Sequence, residues 1–426
     1  MIDIELIRAD PDLIRRELSK RTDDIDLDRV LEADRHRREL VRQVDAARAD
    51  RRQAAREIGR LRATGQPTAE LEIASSARGE ELVRLEAQLV DADGRLQDEL
   101  LGLPNLPDER MPPGGKESNQ VVRTWGERPE LGESTPDHVE LCKRLDLVDY
   151  DRGVKLGGKG FWLYTGMGAA LEWALLDFFC REHMADGYRF LLPPHLLTEE
   201  SGYAAGQFPK FYDDVFHIDS GDDKRGSFLI PTAETAILNI YRDEVIPLGK
   251  LPVKAFAYTP SYRREAGSHG TQERGTIRGH QFNKVELFQF VVPEDAESAL
   301  RELLRKSELL VEKLGLHYQT SLLAARDASA TMRLTHDVEV WLPSIGGYKE
   351  VSSVSWAGDY QARRARIRFR REQGKRTEFV HTLNASGLAT SRLLPAIVEQ
   401  CQQPDGSVTV PEPLRPWLGT DVIKPL

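Results

Sequence analysis

The densest run of chemically useful side chains lies between Ser261 and Glu286. It reads Ser261-Tyr262-Arg263-Arg264-Glu265-Ala266-Gly267-Ser268, then Arg274-Gly275-Thr276-Ile277-Arg278, then His280-Gln281-Phe282-Asn283-Lys284-Val285-Glu286. Two extended stretches flank a polar, glycine-containing loop, which is a β-hairpin pattern. In a strand Arg263 and Glu265 would project from one face, because side chains alternate. A single Arg beside a single Glu is ordinarily a surface pair. Several arginines with Gly, Ser and His in one loop point instead to an anion-binding site.

Other chemistries find no support. Gly153 to Lys159 reads G-x-x-x-x-G-K, but Gly160 stands where a P-loop needs Ser or Thr, and no apolar strand precedes it. The stretch is read as a glycine-rich loop. No G-x-G-x-x-G follows a strand, so a Rossmann site is not indicated. Cys142, Cys180 and Cys401 are odd in number, far apart and without a C-x-x-C or a nearby His, so neither a disulfide framework nor zinc is expected.

A chain of 426 residues exceeds what one hydrophobic core usually supports, so two domains are expected. Hydrophobic residues make up 40% and charged residues 30%, and no apolar run is long enough to span a bilayer. The start Met1-Ile2-Asp3-Ile4-Glu5 lacks a basic and then apolar leader, so a cytoplasmic protein without a membrane partner is expected. The net charge of −10 argues against indiscriminate nucleic-acid binding, and no DNA partner is expected, but a local basic surface remains compatible with it.

Two regions must carry these residues. From Val30 apolar or small residues recur in a three-four rhythm through Ala33, Leu40, Val44, Ala47, Ala54, Ile58 and Leu61, with Arg37 and Arg51 in the remaining slots. After the breaker Thr64-Gly65-Gln66-Pro67 a second stripe runs through Leu82, Leu85, Leu89, Ala92 and Leu96. This predicts an antiparallel coiled-coil hairpin over about 27–101, turning near 64–68, within an arm of residues 1–103. The first helix holds eleven Arg against seven acids, the second three Arg against nine. Such charges either complement each other across the hairpin or meet phosphates outside it. The Pro- and Gly-rich segment 104–115 reads as a linker. Residues 116–426 mix strand-like runs such as Gln281 to Val292 with helical runs such as Gly168 to Ala185, without steady βαβ alternation. An α+β domain on a mostly antiparallel sheet flanked by helices follows.

The string Y-R-x-E-A-G-S followed by R-G-x-I-R-x-H-Q-F-x-K-V-E resembles motif 2 of the seryl branch of class II aminoacyl-tRNA synthetases. Gly187-Tyr188 to Pro193-Pro194 resembles the dimer-forming motif 1, and Thr232-Ala233-Glu234 the T-x-E loop. Asn384-Ala385-Ser386-Gly387-Leu388-Ala389, then Arg392, resembles motif 3, and Glu350-Val351-Ser352-Ser353 the family's E-I-S-S strand. The tail from Gln402 to Gly419 follows the same family, so the resemblance spans nearly the whole chain.

What the resemblance implies is a serine-tRNA ligase that joins L-serine to ATP, releases pyrophosphate and passes the serine to the terminal adenosine of tRNA-Ser. Arg263 and Arg392 would be catalytic, the first bridging the α-phosphate and the substrate carboxylate, the second holding the γ-phosphate. ATP would be met by Arg263, Arg264, Glu265, Glu350, Val351, Ser352, Ser353 and Arg392, with Glu265 at the adenine and Mg2+ at Glu350 and Ser353. Serine would be met by Thr232, Ala233, Glu234, Arg263, Glu286, Asn384 and Ser386. A homodimer is implied, each arm serving tRNA at the partner's active site. These residue types suit the reaction, since a substrate carboxylate with a pKa of about 3.5 is already ionised and needs no base. Repulsion between anions and in-line alignment are what the site must overcome, and arginines and magnesium do that.

The chain also departs from the family. Val354-Ser355-Trp356 and Asp359-Tyr360-Gln361 stand where C-S-N and D-F-Q are usual, Ala204-Ala205-Gly206-Gln207 where G-T-G-Q is, and Leu334-Thr335-His336-Asp337 where a Tyr precedes the Asp. Compensated drift is one account. The other is a specialised paralogue, insensitive to a serine-adenylate mimic, feeding a natural-product pathway or shifted in amino-acid choice, with Trp356 beside the active-site strand. A non-catalytic tRNA-binding copy would not need Arg263, Glu265, Glu350 and Arg392, and a carrier-loading ligase would lack the long arm.

Overall fold

The computed structural model describes residues 1–129, 135–219, 226–266, 274–372 and 374–425. The chain divides into two compact units, Met1–Pro104 and Asn105–Leu426.

The first unit is built on helices α1, Leu27–Ala63, and α2, Ala69–Gly102. Asp26 starts α1 by accepting a hydrogen bond from the amide of Arg29. Gly65 ends it with φ of 71°, a left-handed value that a side chain would strain. The buried residues Val30, Ala33, Leu40, Val44 and Ala54 of α1 and Leu82, Leu85, Ala92 and Leu96 of α2 are the expected stripes. Ion pairs Arg37–Asp93, Arg48–Glu86 and Arg62–Glu72 climb one helix while descending the other, so the pair is antiparallel. These three pairs are the cross-hairpin complementarity foreseen from charge. Exposed pairs contribute only about 0.2–1 kcal/mol each, so the apolar stripe holds the hairpin together.

The second unit is organised on an eight-stranded sheet. Its strands are β1 Gln120–Trp125, β2 Arg189–Leu191, β3 Val253–Tyr262, β4 Gln281–Val291, β5 Tyr318–Leu322, β6 Leu334–Leu342, β7 Gly347–Gly358 and β8 His381–Ala389. Their order across the sheet is β1-β5-β6-β7-β8-β4-β3-β2, antiparallel throughout except for β2 beside β3. The helices that matter here are α3 His138–Arg144, α4 Gly166–Ala185, α5 Ala233–Asn239, α6 Ala296–Lys313 and α7 Thr390–Gln400.

Strand alternation sorts the two faces of the sheet. Val285 and Leu287 of β4, Leu383 and Ala385 of β8 and Val354 of β7 enter the main apolar cluster with Leu171 and Leu175 of α4, Leu303 and Leu310 of α6 and Leu394 and Ile397 of α7. The intervening Lys284, Glu286, Asn384 and Ser386 face the other way, and a bulge between Lys284 and Glu286 shifts the pairing with β8. Farther along that face Phe288 and Phe290 join a second cluster with Ala233 and Ile237 of α5.

Two local expectations fail. β3 ends at Tyr262, so Arg263 and Glu265 do not share a strand face: Glu265 has φ of 53°, and the amide of Arg264 donates to the carbonyl of Asp214 at 2.7 Å. Gly153 is not in a loop but inside the helix Tyr150–Gly157, where a Cβ would come within 2.3 Å of the Trp162 backbone. Residues 104–115 carry neither helix nor strand, yet Asn105 donates through Nδ2 to the carbonyls of Thr331 and Ala357 at 2.9 and 2.8 Å. Among the described residues no helix is long and apolar enough to cross a membrane.

Candidate active site

A cleft opens on the polar face of the sheet, lined by Arg263, Glu265, Arg278, Lys284, Glu350, Ser386 and Arg392 among others. The turn after β3 delivers Arg263, whose Nε donates to the carbonyl of Pro231 at 3.2 Å and whose guanidinium lies 5.3 Å from the centre of the Phe282 ring. Glu265 accepts from Arg278 Nε at 2.7 Å. Arg392, in the first turn of α7, reaches across to β7: its Nη1 is 2.8 Å from the Glu350 carbonyl oxygen and 3.2 Å from the Glu350 carboxylate.

The other residues expected at the nucleotide are placed less uniformly. Arg264 is exposed and does not line the cleft. Val351 turns its side chain into the main core, and Ser352 donates its hydroxyl to the Ser386 carbonyl at 2.6 Å, so neither side chain lines the cleft. Gly267 and Ser268 lie outside the described residues.

Beside the arginines the residues expected at serine converge. Glu234 accepts from Gln361 Nε2 at 2.6 Å and from Asn384 Nδ2 at 3.1 Å. Glu286 accepts from the same Asn384 nitrogen at 3.1 Å, from Ser386 Oγ at 3.4 Å, and pairs with Lys284 Nζ at 2.5 Å. Lys284 also donates to Thr232 Oγ1 at 2.9 Å, and that oxygen caps α5 by accepting the Glu234 amide. Ala233 is buried in the second apolar cluster. Burial, and next the charge of Glu286, push the Glu234 carboxyl up to about 7. Asn384 Oδ1 is buried with no partner among the described residues, an acceptor aimed into a site of carboxylates.

A third oxygen-bearing side chain stands beside Glu350 and Ser353. Asp337 of β6 stands opposite Ser353, shares a hydrogen bond with it, and keeps Oδ1 buried without a partner among the described residues. Burial first and then the charge of Glu350 hold its carboxyl well above the usual range. Two carboxylates and a hydroxyl form a hard oxygen set that suits Mg2+ sharing its shell with phosphates and water.

Trp356 is not in the cleft. Ser355 pairs with Asn384 and Trp356 with Leu383, so Trp356 points to the opposite, core side of the sheet. There it stacks near His381 at 5.7 Å between ring centres and lies under Arg333.

Asp337, Lys284 and Gln361 carry no assigned role in the sequence analysis. Lys284 sits two residues before Glu286 on one strand, and that spacing was the available signal. For Gln361 the signal was its match to the last residue of the family's D-F-Q. Glu172, a lone carboxylate in the apolar part of α4, is buried away from the residues lining the cleft; it accepts from Asn283 Nδ2 at 2.7 Å and from Thr390 Oγ1, and burial pushes it up to about 7.

An antiparallel sheet with an arginine-lined cleft defines a class II synthetase core, and residues 216–401 match the family model for the tRNA synthetase class II core domain (G, H, P, S and T). Residues 1–107 match the model for the seryl-tRNA synthetase N-terminal domain. The chain is 51% identical to serine–tRNA ligase 2 of Clostridium acetobutylicum over 99% of its own length and 100% of that protein. It is 43% identical to serine–tRNA ligase of Thermodesulfovibrio yellowstonii over the whole of both. The structure superimposes on seryl-tRNA synthetase from Pyrococcus horikoshii, solved in complex with ATP, with a TM-score of 0.93 and 29% identity, covering 100% of each chain. The chain belongs to the seryl-tRNA synthetase family and is a class II ligase.

Proposed function

We propose that this chain activates L-serine with ATP and transfers it to tRNA-Ser, and that the site residues act as follows. Arg263 bridges the serine carboxylate and the α-phosphate, bringing two anions within reach of each other. The carboxylate oxygen attacks phosphorus and pyrophosphate leaves, with Arg392 on the γ-phosphate. Glu265, held by Arg278, faces the adenine. Glu350 and Ser353, with Asp337 behind them, would hold Mg2+, which supplies charge neutralisation at the phosphates.

The observation that carries the serine reading is the buried group Glu234–Asn384–Glu286 beside Arg263. Glu234 takes the substrate ammonium. Glu286 and Ser386, 3.4 Å apart, take its hydroxyl. Alanine would leave those buried groups unpaired, which on the usual scale for a lost hydroxyl costs about 10⁴-fold. Drift with compensation, rather than a shifted amino-acid choice, is the better account of Trp356, because it faces away from this group.

The hairpin is assigned to tRNA, and the reaction to the cytoplasm, where ATP and tRNA meet. Exposed Trp173 and Met184 of α4 with Phe190, Leu192 and Leu196 beyond it support a homodimer through this surface. The test is ATP–pyrophosphate exchange driven by serine, alanine, threonine or glycine, followed by charging of tRNA-Ser. Serine-dependent exchange and charging are expected. Exchange with none of the four amino acids would remove the catalytic reading.

A further inference from the structure

Helix α3 supplies a contact that the ligand scheme leaves unused. Its first residue, His138, is 2% exposed, and Glu399 near the end of α7 is fully buried. Glu399 Oε1 lies 2.7 Å from His138 Nδ1 and accepts the His138 amide at 2.9 Å and Ser344 Oγ at 2.7 Å, while Oε2 accepts the Ser344 amide at 2.9 Å. Burial alone would raise this carboxyl, but the hydrogen bonds from His138 and Ser344 outweigh it and hold the group below its ordinary value. On the far side of the ring, Nε2 is 3.1 Å from the carbonyl oxygen of Arg274. A carboxylate and a carbonyl oxygen both only accept, so each ring nitrogen of His138 faces an acceptor and the ring is held from both sides.

The segment it touches is the one that re-enters the cleft. Arg274 is also held through its guanidinium by Asp137 at 3.0 Å. Gly275 has φ of 70°, and a Cβ there would come within 2.6 Å of His138 Nε2, so the backbone presses on the ring as only glycine allows. Thr276 Oγ1 donates to the Ser391 carbonyl at 2.8 Å. Beyond this pinned stretch, the Ile277 carbonyl accepts from Arg392 Nε and Arg278 holds Glu265. Glu399 and Arg392 are seven residues apart on α7 and therefore near one face of it.

We propose that His138, gripped by Glu399, is a positioning residue that fixes Arg274–Arg278 and so sets the nucleotide end of the cleft. It touches no substrate; it aligns Arg278 with Glu265 and the Ile277 carbonyl with Arg392. The inference rests on the reading that this cleft takes ATP.

The experiment is ATP–pyrophosphate exchange by the full-length chain, with ATP and serine varied separately, for wild type, H138A and D137N, together with their melting temperatures. H138A is expected to raise the KM for ATP by about tenfold or more, within the range that small misplacements produce, and to leave the serine KM within about twofold. Added imidazole should lower the ATP KM of H138A again. D137N keeps the helix cap, since Asn caps as well as Asp, but weakens the hold on Arg274, and should shift the ATP KM in the same direction by less. Its ion pair is partly exposed, so it decides the matter if H138A does not fold. An unchanged ATP KM in D137N and in any folded H138A overturns the proposal, as does a parallel rise of both KM values with a lower melting temperature. Wild-type chain without serine-driven exchange would instead remove the reading beneath it.

Discussion

Glu234 and Glu286 share one donor: Nδ2 of Asn384 lies 3.1 Å from an oxygen of each. Lys284 compensates the charge of Glu286 directly, whereas among the described residues the Glu234 carboxylate is hydrogen-bonded by the neutral amides of Gln361 and Asn384. Burial and the neighbouring charge raise Glu234 to about 7, so near neutrality its carboxyl is partly protonated, and on the proposed reading an entering ammonium would displace that proton.

The pH dependence follows with a definite sign. Ammonium binds the ionised form of Glu234, so the serine KM should fall as pH rises through about 7 and level off above it. For stability the sign reverses. A carboxyl raised in the folded chain binds more protons there than when unfolded, so its contribution is full below about 4.5 and is lost as pH rises through about 7. Glu234→Gln should flatten the serine KM profile in exchange assays and raise it overall. A profile unchanged in that variant would contradict the assignment. Glu172, also near 7, is separated by running Glu172→Gln in parallel.

Arg263→Ala should abolish serine-driven exchange while leaving the melting temperature nearly unchanged, because among the described residues its guanidinium meets one carbonyl and one ring face and acts on Glu234 only through its charge. Arg392→Ala should cost about 10²–10³-fold in kcat, the usual loss for a donor to developing charge. Steady-state exchange and thermal unfolding of the two variants check both statements.

Trp356→Asn should act on stability and not on choice. The side chain packs on the core side of β7, so its loss should cost about 2 kcal/mol, below the 3–5 kcal/mol of a fully buried ring. The serine-to-alanine ratio of kcat/KM should stay within about twofold, since nothing opposite Asn384 has moved. A changed ratio in amino-acid-dependent exchange would return Trp356 to the site.

Shortening the hairpin by joining α1 to α2 below its tip should leave exchange intact and weaken tRNA charging. The apolar stripes continue to residues 30 and 96, so the remaining pair still buries a seam. Equal loss of both activities would contradict the division of labour between the two units.

The hairpin was legible because a three-four rhythm with a Gly-Pro breaker admits few other folds, and the sheet because its longest strands carry clear runs. The convergence of Thr232, Glu234, Glu286 and Asn384 came from resemblance, since no local pattern brings together residues more than 150 positions apart. What failed was local: the strand was extended past Tyr262 through Arg263 and Glu265, because nothing in Arg-Arg-Glu announces a left-handed residue. Lys284 was not legible as a site residue, because its partners depend on the bulge that brings it beside Thr232 and Glu286. The position of Trp356 required the pairing register, which turns on a single residue.

β7 keeps Ser353 and Ser355 on one side and Val354 and Trp356 on the other. Substitutions on the packed side can accumulate and compensate one another without being felt where phosphates and serine meet. A chain can therefore diverge visibly around its most recognisable strand and still inherit its ancestor's chemistry unaltered, so that divergence there records the history of the interior rather than a change of trade.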